Sequence, residues 1–390
     1  MNTDSEQTVW SRPEVFPGKP KAAPYGSVSP RGRQVEFQTL EELAHHIHHS
    51  RERVEAVWMP EQEELMPPEA VLEFVEPLRA RLLEQAGLDA YNARRNTLIF
   101  AILVLWALYA NVANGTAPTE SFEVGLAGIL LTVLGLVPWY DACRERRSAK
   151  ALNEQAMAME EQEARFDYWL KNHRIWFTRV LVALLAVCGI IQPWVGLEPA
   201  VEVAGLRAGG FDAAESYRLL TAPFLHGHPL HWALNVWGIW YLGRRVESLA
   251  GWPHLSFVMV FSMLAGGLAT SHFMPEKASI GASGGVLGLL GFLLIFETLH
   301  GELVPRSSRR RLVGALGVTL LVGFIGYQFI DNFAHGGGLL AGMLYAGIAL
   351  PRSGSNRRPR ASKRDTVLGV AGLLILAASS IWAGLLLLGA

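Results

Sequence analysis

Two stretches decide the reading: Ser279-Ile280-Gly281-Ala282-Ser283-Gly284-Gly285-Val286-Leu287-Gly288-Leu289-Leu290-Gly291-Phe292, and Ile330-Asp331-Asn332-Phe333-Ala334-His335-Gly336-Gly337-Gly338-Leu339-Leu340-Ala341-Gly342. Each opens an apolar run of helical length, which belongs in a bilayer core about 30 Å thick. The first carries a serine near its start and the second a histidine about one turn in. An ionisable side chain at that depth is expensive and is read as functional by default. A histidine able to take a proton from a serine is the minimum machinery for making an acyl-enzyme. Gly284-x-x-x-Gly288 and Gly338-x-x-x-Gly342 are small-residue stripes that let helices approach closely. A serine–histidine hydrogen bond across two helices requires that approach.

Composition agrees. The chain is 51% hydrophobic yet 18% charged, so its charges must be segregated. The N-terminal part is polar; from Asn96 on, long apolar runs alternate with short charged loops. A span needs about 20 apolar residues. This predicts spans at Thr97–Val112, Phe122–Tyr140, Trp176–Leu197, His226–Leu242, Leu255–Met274, Ile280–Leu299, Leu312–Gln328, Ile330–Leu350 and Thr366–Leu388. The first two form a hairpin around Asn114-Gly115-Thr116-Ala117-Pro118. The fold class is therefore an all-α polytopic membrane protein. Its organisation is a soluble region at 1–95, a transmembrane hairpin at 96–140, a charged helical linker at 141–175, a core at 176–350, a basic loop at 351–365 and a last span at 366–390.

Lys and Arg set the direction. They cluster at Arg94-Arg95, at Arg144, Arg146, Arg147 and Lys150, at Arg244-Arg245, at Arg306 and Arg309-Arg310-Arg311, and from Arg352 to Arg364; the alternate loops are poor in them. The expected topology is multi-pass in a cell (inner) membrane, with the N-terminus cytoplasmic and the C-terminus outside. No charged n-region followed by a short apolar core opens the chain, so no cleavable signal peptide is expected. Cys143 and Cys188 make no disulfide framework. The net charge of −1 hides the segregation of charges and says nothing about partners; no nucleic-acid partner is expected.

With this topology the spans at 226–242, 280–299 and 330–350 all run from outside to inside. Ser283 and His335 then lie at matching shallow depth. Ser283 to Leu299 gives only about 24 Å of helix, short of the core thickness. That helix is expected to begin below the surface, at the floor of a water-filled cavity, since non-helical backbone such as Ala278–Ala282 is tolerated at depth only there. His231 and Asn235, four apart, share a helical face.

The N-terminal region offers less. Thr39-Leu40-Glu41-Glu42 has capping-box spacing, and Pro67-Pro68 precedes a second helix expected to run to about Leu88. His45, His46, His48 and His49 read as a solvated helix face, because no further Cys/His/Asp set completes a metal site. No cofactor is expected, and any cytoplasmic partner of this region is unidentified.

Four matches carry a resemblance: Gly281-Ala282-Ser283-Gly284, Ala334-His335-x-Gly337-Gly338-x-x-x-Gly342, His226-x4-His231-x3-Asn235, and Tyr217-Arg218 in the loop before. Over roughly 176–350 the chain resembles the rhomboid intramembrane serine proteases. The resemblance implies a six-helix core with one added C-terminal span, and a Ser–His dyad without an aspartate. Ser283 would be the nucleophile and His335 the general base and acid. The Ser283 N–H, His231 and Asn235 would make the oxyanion hole, with His226, Gly281, Gly284, Gly337 and Gly338 supporting it. The implied activity is an endopeptidase that cuts transmembrane helices of membrane proteins near their outer end. One departure is Leu287, where the family usually has Tyr or Phe packed on the histidine; Tyr217 also replaces a Trp found in some members. The G-x-S-x-G elbow of soluble hydrolases is matched by accident, since its flanks are spans. H-E-x-x-H is absent, and no broken-helix repeat suggests a transporter. The competing class is a rhomboid-like binding protein that keeps the fold without catalysis and guides membrane clients.

Overall fold

Thr39 Oγ1 accepts the Glu42 N–H while the Glu42 carboxylate accepts from the Thr39 N–H, closing the predicted capping box at the head of α1 (Leu40–His49). Leu43 and Ile47 on this helix are buried, which leaves His45 and His49 exposed. The computed structural model describes residues 8–20, 23–118, 121–207, 209 and 213–390. It divides into two units, residues 1–171 with 317–330, and residues 172–316 with 331–390.

The first unit contains a sheet that the sequence reading did not foresee. Strands β1 (Tyr25–Val28), β2 (Gln34–Phe37) and β3 (Ala56–Trp58) pair antiparallel in the order β2-β1-β3. Strands of three or four residues are too short for alternation to stand out. Gly26 matters here: a Cβ on it would overlap the Trp58 indole, which is buried across the strand pair. Leu43, Ile47, Val57 and Phe74 form a core that also takes in Leu152 and Met157. Those last two come from the charged segment expected to act as a linker. Its helix α5 (Glu154–Asn172) buries Met157, Phe166 and Trp169, and Tyr168 stacks on Phe16 at 4.1 Å. Three buried apolar residues hidden among charges make this segment part of the packed unit.

Helix α2 (Val75–Ala113) is one element of 39 residues, so the helix expected to stop near Leu88 runs on through the first predicted span. Gly87 costs a helix only about 1 kcal/mol and cannot end it. The return limb is α3 (Phe122–Leu130), a wide turn at Leu131–Leu136 and α4 (Val137–Lys150). Pro138 lacks the N–H that would reach the Leu134 carbonyl. Asn96 on α2 supplies one instead, with Nδ2 donating to Leu134 O at 3.3 Å.

The second unit holds α6 (Trp176–Val195), α7 (Leu197–Ala204), α8 (Arg218–Thr221), α9 (Pro229–Gly238), a wide turn at Ile239–Gly243, α10 (Arg244–Leu249), α11 (Trp252–Phe273) and α12 (Ser283–Leu299). After α13 (Arg306–Ile325), which is shared between the units, it continues with α14 (Asn332–Ala349) and α15 (Lys363–Leu388). The protein is a mostly helical, multi-pass membrane protein. Among the described residues, Leu72–Ala113, Phe122–Lys150, Trp176–Val195, Trp252–Phe273 and Lys363–Leu388 are long and apolar enough to cross a bilayer, while Ser283–Leu299 is apolar but shorter. The predicted span at 226–242 is a helix only from Pro229, with a wide turn before its end. Helix α15 packs on α11 through Gly369 against Pro253 and Gly372 against Ser256. It meets α6 where Ser380 Oγ donates to Leu184 O at 2.8 Å.

Candidate active site

The site is built around the crossing of α12 and α14. A Cβ on Gly338 would overlap the Gly284 carbonyl oxygen, and one on Gly342 would overlap that of Gly288. Backbone therefore meets backbone along both stripes, as the small residues allow. A Cβ on Gly284 would stand 3.2 Å from the Ala334 carbonyl oxygen. Ser283 and His335 flank this contact, one residue out on each helix. Gly337 lies against α11 at Ala265 and Ala269.

Ser283 is the first residue of α12, so its N–H is among those without an intrahelical partner and sits at the positive end of the helix dipole. The backbone entering it is not helical. Leu206 and Ser279 exchange two N–H···O bonds, of 3.1 and 2.9 Å, and the Gly281 N–H donates to Ala222 O at 3.0 Å. Non-helical chain at 275–282 is thus paired with the loop between α7 and α9. Gly281 has φ +117°, in the left-handed region. A Cβ there would also come within 2.7 Å of His231 Cε1. The imidazole of His231 consequently packs directly on the backbone two residues before Ser283.

His226 and His231 meet edge to face at 5.1 Å between centroids. Gln192 on α6 holds His226 by its backbone: Nε2 donates to His226 O at 2.7 Å and Oε1 accepts the His226 N–H at 2.9 Å. Both ring nitrogens of His226 are buried with no protein hydrogen-bond partner. Asn235 is buried, and its Nδ2 donates to the His231 carbonyl at 2.9 Å, which leaves one amide N–H for another acceptor. Among the described residues no hydrogen bond joins Ser283 to His335; unliganded sites often hold such contacts long. Leu287 is buried in the helix below Ser283. Tyr217 stacks on Trp382 of α15 at 5.1 Å, and Arg218 is buried, pairing with Glu215 at 2.9 Å. His228 caps α9, its Nδ1 accepting the Leu230 N–H.

Sequence reading placed Asp331 before His335 without giving it a task. Its Oδ1 accepts the Ala334 N–H at 2.8 Å and caps α14, while Oδ2 accepts from Thr270 Oγ1 at 2.7 Å and Ser279 Oγ at 2.6 Å. One carboxylate thus ties α11, the segment before Ser283 and the turn that carries His335. An Asp just ahead of an apolar helix is a cap signal that a sequence shows; its other two partners are not visible there. Gln192, a lone amide in an apolar run, was the other available sign. Asp331→Ala is expected to cost about 2–4 kcal/mol, the sum of a lost cap and stranded hydroxyls. Asp331→Asn should cost less. Thermal unfolding in detergent measures both.

A family model described as a rhomboid domain matches residues 213–352, the segment that holds Ser283, His335, His226, His231 and Asn235. RHOMBOID-like protein 6, mitochondrial, of Arabidopsis thaliana is 33% identical over 145 residues, which cover 36% of this chain and 46% of that protein. RHOMBOID-like protein 4 of the same species is 32% identical over 195 residues, 44% of this chain and 48% of the relative. Inactive rhomboid protein 1 of Danio rerio is 30% identical over 173 residues, 44% of this chain and 20% of the relative. The chain spans less than half the length of each of these relatives. With the serine, the histidine and the glycine crossing all inside the matched segment, residues 213–352 of this chain form a rhomboid domain.

Proposed function

We propose that the chain is an intramembrane serine endopeptidase that cleaves transmembrane helices near their outer end. The observation that carries this reading is the α12–α14 crossing, which sets a helix-initial serine and a histidine on either side of one backbone contact. His335 takes the Ser283 proton as Oγ attacks the scissile carbonyl. The tetrahedral oxyanion is met by the Ser283 N–H at the helix head, with His231 and the free N–H of Asn235. His335 then protonates the leaving amine, leaving an acyl-enzyme that water hydrolyses by the reverse proton path. Asp331, one turn before the histidine, favours the imidazolium formed midway. His226, Gly281, Gly284, Gly337 and Gly338 shape the site. In this reading the site opens to the outer face, the N-terminus is cytoplasmic, and the substrates are membrane-spanning proteins. No cofactor takes part.

A second reading, a family member that binds membrane clients without cutting them, is favoured by the missing Ser283–His335 hydrogen bond and by relatives named inactive. A fluorophosphonate probe tests the choice. Labelling of Ser283 in the folded protein, lost in His335→Ala, is the expected result. An unlabelled Ser283 in protein that binds client helices would establish the second reading.

The oxyanion donors give a quantitative check. Asn235→Ala and His231→Ala are each expected to lower kcat by about 10²–10³-fold with little change in KM, because their bonds strengthen as charge develops. Steady-state kinetics on a reconstituted transmembrane substrate separates this from a binding role, which would raise KM alone.

A further inference from the structure

Arg245 is buried, and its Nε donates to the Glu297 carboxylate at 2.7 Å. Glu297 lies fourteen residues along α12 from Ser283, about 21 Å of helix, so this is the opposite end of the bundle from the candidate active site. Gly243 packs here on Thr178: a Cβ on it would stand 3.3 Å from the Thr178 methyl. The next residue on each side of this contact is an arginine, Arg244 after Gly243 and Arg179 after Thr178. Neither has an ion-pair or hydrogen-bond partner among the described residues, and the Arg244 Nε is buried without one. The neighbouring acids are already committed. Glu247 accepts the Phe177 N–H at 3.1 Å, and the Thr178 N–H and Oγ1–H at 2.8 and 2.7 Å; Glu297 serves Arg245 and Ser308.

The surroundings indicate what would neutralise the pair. The Arg179 guanidinium lies over the Trp176 ring at 5.4 Å, and that of Arg244 over the Trp240 ring at 5.0 Å. Trp176, Val180 and Trp240 all expose apolar surface beside these charges. Tryptophan rings favour the headgroup level of a bilayer, and guanidinium forks match phosphate oxygens. Two neighbouring cations that lack an ion-pair partner favour a net negative ligand over a zwitterionic lipid. A free phosphate would leave the flanking rings without a partner.

We propose that Arg179 and Arg244, flanked by Trp176 and Trp240, form a binding site for the phosphate of an anionic phospholipid. The lipid's phosphate bridges the two guanidinium groups, and its glycerol and upper acyl carbons lie along the tryptophan rings. The site would tie α6 to the wide turn before α10 from the bilayer side.

Native mass spectrometry of the full-length protein, titrated with phosphatidylglycerol and with phosphatidylcholine, tests this. Wild type is expected to bind the first at least about tenfold more tightly, and Arg179→Gln with Arg244→Gln to lose about tenfold or more of that affinity. Arg309→Gln with Arg310→Gln removes equal charge from exposed positions near the start of α13 and should change affinity less than about twofold. Melting without lipid shows whether each variant is folded; should the double variant fail, the two single variants decide, each expected to lose about threefold. Equal losses from the site pair and the control pair would overturn the proposal, showing diffuse attraction only. Complete displacement of the lipid by millimolar inorganic phosphate would also overturn it, by reducing the site to an anion pocket.

Discussion

Ser283→Ala is expected to abolish cleavage of a reconstituted transmembrane substrate, lowering kcat by on the order of 10⁴–10⁶-fold, while the protein folds and inserts normally. Alanine keeps the helix start at α12 and removes only the hydroxyl of a half-buried residue. His335→Ala should fall by a similar factor, and the double variant scarcely further, because the proposed nucleophile and base would act as one unit. Non-additivity is the informative part of the experiment. If the two losses multiplied, the residues would act in separate steps and the dyad would be wrong. If either single variant cut at the wild-type rate, the nucleophile would have to lie elsewhere in the matched segment.

The second large effect concerns the frame. Gly338→Val sets a branched side chain where even a Cβ overlaps the Gly284 carbonyl, and a backbone atom inside a helix cannot swing aside. Overpacking of this kind costs about 3 kcal/mol or more, since α12 and α14 must separate along their whole contact. Stability and cleavage should be lost together. Gly336→Ala is the matched control: its Cβ would meet nothing within 4 Å, and alanine is the better helix former by about 1 kcal/mol. It should leave activity intact and raise the unfolding midpoint slightly. Denaturation and cleavage measured on the same preparations distinguish the two. A stable, active Gly338→Val would mean that the helices do not need this approach.

Much of the site was legible because membrane helices write their constraints into local sequence. A serine and a histidine in apolar runs, each followed by glycines four apart, announced two helices that could touch. The short distance from Ser283 to Leu299 announced a short helix, and the structure begins α12 at Ser283. The capping box at Thr39 was equally local and formed as read. These features depend on spacing along one chain segment, which the sequence displays directly.

Partners distant in sequence decided the rest. The three tasks of the Asp331 carboxylate link residues 61 and 52 positions apart, and no periodicity encodes that. The Gln192 clamp on His226 spans 34 positions. The inward turn of the Asn235 amide reflects competition from the His231 carbonyl, a choice among acceptors that only packed coordinates reveal. In the first unit, short strands and a charge-rich helix hid a core whose apolar residues come from Leu43 to Met157. Sequence alone determined that this protein lives in a bilayer and which serine and histidine to watch, because burial in lipid leaves a polar residue little reason to be there but function. The tertiary structure decided which backbone and carboxylate hold those residues, because hydrogen bonds between remote segments exist only once the helices have packed.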